Sequence, residues 1–131
     1  DDPETRKRLF AARKALGGLL GQMRMDFLVQ DAVIPKRALA GMLALISSEA
    51  DAAGIPVVTI MHAGDGNLHP NFLFDASDSG QLEAVEKISS RLMHKVIEAG
   101  GTLSGEHGIG NDKSAYMDDV FSPLAKRMQL A

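Results

Sequence analysis

The chain has 131 residues, no cysteine and a formal net charge of −3, which exclude disulfides, thiolate metal sites and a basic nucleic-acid footprint. Hydrophobic residues make up 45% and charged residues 24% of the chain, as is typical of one globular domain with its own core. No apolar stretch reaches the length of a membrane span and no signal peptide opens the chain, so we expect a cytoplasmic protein.

The first third of the chain predicts a helix, a strand and a second helix. Apolar residues at helical spacing indicate a helix over residues 6–22, although the cation Arg13 falls on its apolar face. A strand over residues 27–34 follows. Pro35 then suits the first turn of an amphipathic helix that ends at Gly54.

The middle of the chain predicts a hairpin followed by a helix and a last strand. Residues 57–62 form a β-branched run, residues 63–67 a turn, and residues 68–75 a second strand. Helical periodicity then continues over residues 78–99. We expect a last short strand over residues 102–106.

The order strand, helix, strand, strand, helix, strand predicts an α+β fold. It is typical of a ferredoxin-like split βαβ arrangement (βαββαβ), with an antiparallel sheet and both helices on one face. An N-terminal helix precedes this unit, and a helical segment after Asp112, broken at Ser122-Pro123, follows it. We expect residues 1–131 to form a single domain.

The sequence H-A-G-D-G-N-L-H-P at residues 62–70 brings two histidines to the two sides of a glycine-rich turn. If the strand register pairs His62 with His69, one face of the hairpin carries both imidazoles and the amide of Asn71. Two histidines in this arrangement are candidate ligands of a divalent metal. The alternative is a tight turn flanked by two structural histidines.

A second motif, G-E-H-G at residues 105–108, offers a carboxylate and a further imidazole. Flanking glycines let the backbone bend so that adjacent side chains both reach one site. Glu106 would then complete a ligand set of two histidines and one carboxylate, and His107 would act as a general base. The alternative is a glycine-rich connection with a surface Glu-His pair.

Taken together, residues 62–70 and 104–110 resemble the C-terminal domain of the FAD-linked 2-hydroxy acid oxidases and dehydrogenases. Within that family the chain most resembles the glycolate oxidases, with D-lactate and D-2-hydroxyglutarate dehydrogenases as relatives. The resemblance covers essentially the whole chain and includes Arg13-Lys14 and the Asp31-x-x-Ile34-Pro35 segment. A lysine that some relatives carry just before Asp31 is replaced here by Val29-Gln30, so their dicarboxylate preference is not carried over.

The resemblance implies a role for each residue of the two motifs. Asn71 and His107 would contact the substrate, and His107 would take the proton of its hydroxyl group. Arg13 would pair with the substrate carboxylate. The residues implied to bind a divalent metal, commonly zinc, are His62, His69 and Glu106.

The resemblance also implies the partners of this chain. They are a small 2-hydroxy acid of the glycolate or D-lactate type, a divalent metal, and FAD held mainly by a domain absent from this sequence. We therefore expect a fragment of the C-terminal substrate- and metal-binding domain of a larger flavoenzyme, inactive alone. Other oxidase subunits, peripheral membrane association through them, and homo-oligomerisation are further expectations.

Two hypotheses from other classes stay open at the level of sequence. In a stand-alone metallohydrolase, the same ligands would hold zinc and a metal-bound water would be the nucleophile. The second is a non-catalytic ligand-binding or dimerisation module, which stays open because split βαβ domains host many functions and the fold alone does not decide among them.

Overall fold

The structure is a computed structural model that describes residues 2–22 and 26–129. The side chains of residues 12, 13, 16, 17, 19–22 and 129 lie outside that description. Two short 3₁₀ turns, Lys36–Ala38 and Ser114–Tyr116, accompany the main elements. These are, in chain order, α1 (Pro3–Gln22), β1 (Asp26–Val29), β2 (Ala32–Val33), α2 (Leu39–Ala53), β3 (Val57–His62), β4 (Asn67–Phe74), α3 (Ser79–Glu98), α4 (Met117–Val120) and α5 (Pro123–Gln129).

An antiparallel sheet with β4 at its centre forms the middle of the molecule. Strand β3 pairs with one edge of β4, while β1 and β2 both pair with the other edge. A single bridge between Val33 and Thr102 extends the sheet beyond β2. This is the order of a split βαβ sheet, and it confirms the predicted α+β class.

The strand predicted over residues 27–34 is interrupted at residues 30–31. Both halves keep one register on β4, with Val29 opposite Asn71 and Ala32 opposite Leu68, so no residue is inserted. The interruption lies opposite Pro70, which has no N–H to donate to the ladder. The backbone N–H of Gln30 still donates to the carbonyl of Pro70 at 3.0 Å.

The predicted pairing of His62 with His69 is wrong. His62 pairs with Asn67, and Ile60 is the partner of His69, because the turn occupies residues 63–66. Gly66 closes that turn with a φ of +77° and donates its N–H to the carbonyl of His62. The predicted sharing of faces still holds, since residues two apart on a strand point the same way.

The hydrophobic core lies between one face of the sheet and the helices α2 and α3. Phe72 and Leu68 on β4 are buried against α2 residues such as Ile46 and α3 residues such as Val85 and Leu92. Helix α2 ends at Gly54 in the left-handed conformation, as predicted, with a φ of +67°. The opposite face of the sheet is mixed: it carries the polar residues Asn67, His69 and Asn71 together with apolar residues such as Ile60 and Leu73.

The predicted last strand over residues 102–106 is wrong beyond its first residue. Only Thr102 pairs with the sheet, through Val33, and the backbone N–H groups of residues 105–107 turn instead to the carboxylate of Asp31. An N–H group that donates to a carboxylate cannot also donate to a neighbouring strand.

The C-terminal segment is helical, as predicted, and it breaks where Ser122-Pro123 was expected to break it. Helix α4 ends before Phe121 adopts an extended conformation, and α5 starts at Pro123. Among the helices in the described ranges, none has the length and apolar character that crossing a membrane requires.

Candidate metal centre and active site

Three predicted metal ligands converge at the end of the hairpin. Nε2 of His62 lies 3.3 Å from Oε1 of Glu106, and Nε2 of His69 lies 3.9 Å from Oε2 of the same carboxylate. One ligand atom from each residue falls within 4.8 Å of the other two. The chain thus brings together side chains that are up to 44 residues apart in sequence.

The donor set suits a divalent transition metal such as zinc. Two imidazole nitrogens and one carboxylate form a common three-residue zinc ligand set that leaves a coordination position for water or substrate. Two ligands about 2.1 Å from an ion in tetrahedral geometry lie roughly 3.4 Å apart, close to both measured separations. The three residues therefore fit such an ion.

Burial keeps one of these imidazoles in the form that binds metals. Only 8% of His69 is exposed, and this burial lowers its pKa, although the charges of Asp31 and Glu106 act in the opposite direction. A neutral imidazole has the free lone pair that a metal ligand requires. His62 is only half-buried at the mouth of the site.

The third histidine of the motifs, His107, lies against the candidate ligands. Its ring stacks on that of His69 with centroids 5.3 Å apart and planes 25° from parallel. The ring of His62 meets that of His69 edge-on, with centroids 5.5 Å apart. His107 is exposed, so its ring is accessible to a bound small molecule.

The loop of residues 104–107 is held by a single carboxylate beneath it. Oδ2 of Asp31 accepts hydrogen bonds of 2.7 to 2.9 Å from the hydroxyl of Ser104 and from the backbone N–H groups of Gly105, Glu106 and His107. Burial alone would raise the pKa of Asp31, but these hydrogen bonds outweigh it and hold the pKa far below its usual range. Asp31 is therefore a carboxylate at neutral pH.

Glycine is required where this loop meets the sheet. A Cβ at Gly105 would lie 2.7 Å from both the side-chain nitrogen of Asn67 and a methyl group of Val33. The loop can approach the sheet this closely only without a side chain at that position. This contact, together with Asp31, lets Glu106 reach both histidines and lets His107 stack on His69.

A buried lysine, Lys113, ties the start of the loop to the segment between β1 and β2. Its Nζ donates to the backbone carbonyls of Asp31 at 2.5 Å and of Leu103 at 2.7 Å. Burial lowers the pKa of Lys113, against the opposing charges of Asp31 and Asp112. Sequence reasoning missed this residue, because a lysine in a polar segment gives no sign that it is buried.

Of the other two predicted substrate-binding residues, Asn71 and Arg13, only Asn71 has a described side chain. The amide nitrogen of Asn71 donates to the carbonyls of Val58 and His69, at 3.0 and 2.8 Å, and the residue is buried on the same face of β4 as His69. Arg13 belongs to α1, but its side chain lies outside the described residues, so its predicted pairing with a carboxylate is neither supported nor opposed.

An α+β domain with this pair of motifs belongs to a known family. Over residues 1–129 the chain matches the family described as FAD linked oxidases, C-terminal domain, and it belongs to that family. This membership confirms the resemblance identified in the motifs.

Individual relatives carry names consistent with that family. The chain is 38% identical over 121 residues to glycolate oxidase subunit GlcD of Escherichia coli (strain K12), covering 92% of this chain and 24% of that protein. It is 35% identical to subunit GlcD of Bacillus subtilis (strain 168), covering 88% and 25%. It is 31% identical to the mitochondrial D-lactate dehydrogenase [cytochrome] of Arabidopsis thaliana, covering 90% and 21%. The chain thus spans about a quarter of the length of these relatives.

Proposed function

We propose that this chain is the substrate-side domain of an FAD-dependent 2-hydroxy acid oxidoreductase of the glycolate or D-lactate type. In that enzyme it supplies a divalent-metal site and a proton acceptor for oxidation of the hydroxy acid to the 2-oxo acid. The single observation that carries the proposal is the convergence of Glu106 with His62 and His69, beside the ring of His107.

The metal-binding residues of the proposed site are His62, His69 and Glu106. A zinc ion or similar cation bound there supplies Lewis acidity toward the oxygens of the hydroxy acid. FAD, held mainly by another domain, supplies the two-electron acceptor. With the metal and FAD in these roles, the side chains of this domain have to bind the hydroxy acid and accept the proton of its hydroxyl group.

His107 has the position of a general base. Its ring stacks beside a proposed metal ligand, and its backbone N–H donates to Asp31, so the loop presents the imidazole at the site. One imidazole nitrogen accepts the proton from the 2-hydroxyl oxygen as the C2–H bond breaks. Imidazole suits this step because its ordinary pKa is near neutrality.

Asn71 has its two amide hydrogens directed to backbone carbonyls. Toward a substrate it therefore presents only its carbonyl oxygen, which accepts a hydrogen bond. We propose that Asn71 contacts a hydroxyl group of the substrate rather than its carboxylate. Recognition of the carboxylate is assigned to Arg13, as the family resemblance implies.

The proposal is tested in the full-length protein that contains this chain. Wild type is expected to reduce its flavin on addition of glycolate or D-lactate and to contain about one metal ion per chain. Glu106→Gln is expected to lose metal and activity together, because a neutral amide is a poor ligand for the ion. Flavin reduction and metal content measured on the same preparations check this.

His107→Asn serves as the matched variant in the same loop. It is expected to keep the metal but to lower the rate of flavin reduction by about 100- to 10,000-fold, the usual contribution of a general base. Full activity in this variant would overturn the role of His107. Full activity of Glu106→Gln without metal would overturn the metal site.

Family membership favours this proposal over the two other hypotheses drawn from the sequence. A stand-alone metallohydrolase would not need a neighbouring flavin domain. A dimerisation module would not need three histidines and a carboxylate at one end of a hairpin. A hydrolytic activity that survives removal of flavin would favour the metallohydrolase hypothesis instead.

A further inference from the structure

The carboxylate of Asp31 has two oxygens with different surroundings. Oδ2 accepts four hydrogen bonds from residues 104–107, whereas Oδ1 is buried and has no hydrogen bond among the described residues. Nδ1 of His69 lies 3.8 Å from Oδ1. That nitrogen is also buried and also has no hydrogen bond within the part of the chain that is described.

Oδ1 of Asp31 and Nδ1 of His69 are both buried, lie near each other and have no other hydrogen-bond partner among the described residues. A hydrogen bond between these two atoms is therefore favourable. An unsatisfied buried donor or acceptor is unfavourable by about 1–3 kcal/mol, and a shortening of the N···O distance by roughly 0.6–1 Å would satisfy both. A carboxylate oxygen only accepts, so the proton of this bond must reside on Nδ1 of His69.

On the basis of the proposed function, we infer that Asp31 is a positioning residue for the metal centre. Its Oδ1 holds His69 as the Nδ1–H tautomer, which leaves the lone pair of Nε2 directed toward Glu106. Its Oδ2 holds the loop that carries Glu106 and His107. One buried side chain thereby orients a ligand on the sheet and a ligand on the loop.

Lys113 holds the backbone on which this arrangement depends. Its ammonium group bonds the backbone carbonyl of Asp31 itself and that of Leu103, the residue just before the loop. It therefore holds the backbone of Asp31 and the backbone just before the loop, and it makes no hydrogen bond to either carboxylate oxygen of Asp31. We assign Lys113 a role in holding the backbone, and Asp31 the role in selecting the tautomer.

The variant Asp31→Asn separates tautomer selection from loss of packing, because the two side chains have the same shape. Four donors require an acceptor at the Oδ2 position, so the asparagine carbonyl would take that place and its NH₂ would face His69. An N–H donor facing Nδ1 requires a lone pair there. The proton of His69 would then move to Nε2, the atom needed for the metal.

The experiment measures the ring nitrogens of His69 by ¹⁵N NMR in the metal-free 131-residue chain at pH 8. Wild type is expected to show a protonated Nδ1 and an unprotonated Nε2, and Asp31→Asn the reverse. Zinc affinity, measured by competition with a chelating dye, is expected to fall by about 10- to 100-fold in Asp31→Asn.

Ser104→Ala is the matched control, because it removes one of the four bonds to Oδ2 and leaves the carboxylate in place. It is expected to loosen the loop but to keep the wild-type tautomer of His69. A purely structural role of Asp31 predicts instead that both variants lower zinc affinity without any change in the tautomer.

A protonated Nε2 in the wild type, or the same tautomer in wild type and Asp31→Asn, would overturn the inference. If Asp31→Asn does not fold, the inference is tested by the tautomer of His69 in the wild type alone: a protonated Nδ1 supports it and a protonated Nε2 overturns it. Failure of the wild type to bind zinc would count against the metal site of the proposed function, and the tautomers would still decide the inference about Asp31.

Discussion

The buried carboxylate of Asp31 makes stability depend on pH in the acid range. Its folded-state pKa is depressed, whereas in the unfolded chain it should titrate near its ordinary value of about 3.9. Its stabilising contribution is therefore fully present above about pH 4 and is lost as the pH falls toward the lower folded-state value.

Asp31→Asn is expected to remove this dependence. At pH 7 the variant should be less stable than wild type, and the difference should shrink as the pH is lowered below 4. Urea unfolding at pH 7, 4 and 3 checks this, with Asp51→Asn, an exposed carboxylate on α2, as the control. A difference between Asp31→Asn and wild type that is constant across this range would contradict the prediction.

Two glycines of the hairpin turn are expected to differ sharply in their tolerance of a side chain. A Cβ at Gly66 would run into the backbone carbonyl of Ile34, and its φ of +77° is unfavourable for other residues. Gly64 has open space around it. We expect Gly66→Ala to lower the free energy of unfolding by about 2 kcal/mol or more, and Gly64→Ala by about 0.5 kcal/mol or less. Denaturant unfolding of both variants measures the contrast, which equal losses would contradict.

At the level of single residues, the sequence revealed the groups with a chemical signature but not the roles of those that act through position, although the family resemblance included Asp31. Histidines and a glutamate beside glycines could be identified as candidate ligands because few other roles need that combination. Asp31 and Lys113 are 82 residues apart, and their contact depends on the folded sheet. No local pattern indicates that either side chain is buried.

At the level of elements, the start of α3 offers a test of helix capping. The side chain of Asp78 accepts hydrogen bonds from the backbone N–H groups of Gly80 and Gln81, and the side chain of Gln81 bonds back to it. Asp78→Ala is expected to lower the free energy of unfolding by about 1 kcal/mol, and Asp78→Asn by less, since asparagine also caps helices. Thermal unfolding distinguishes the two, and equal losses would argue against capping.

The helices and the hairpin could be predicted because their apolar residues recur at the right spacing and end at glycines such as Gly54. The errors arose where pairing depends on a residue from elsewhere in the chain. Pro70 removes a hydrogen bond from a neighbouring strand, and the carboxylate of Asp31 takes the N–H groups that a last strand would use. Hairpin register likewise depended on which residue of the turn has a positive φ.

At the level of the whole molecule, zinc is expected to stabilise the fold by mass action. An ion bound by His62, His69 and Glu106 joins the hairpin to the loop, and the unfolded chain has no such arrangement. At a free zinc concentration 100 times the Kd, the free energy of unfolding should rise by about 2.7 kcal/mol. Calorimetry should show a higher Tm that EDTA reverses, and His62→Ala should show a much smaller rise. An unchanged Tm in wild type would contradict the prediction.

The four bonds to Oδ2 of Asp31 also limit how the Gly-Glu-His-Gly loop can be reused in protein engineering. Grafted onto another sheet, the same residues would arrive without a buried anion beneath their N–H groups, and the peptide would relax toward an ordinary coil. A successful transplant therefore has to carry Asp31, from the segment between β1 and β2, along with the loop. The smallest portable unit of this centre is discontinuous in sequence.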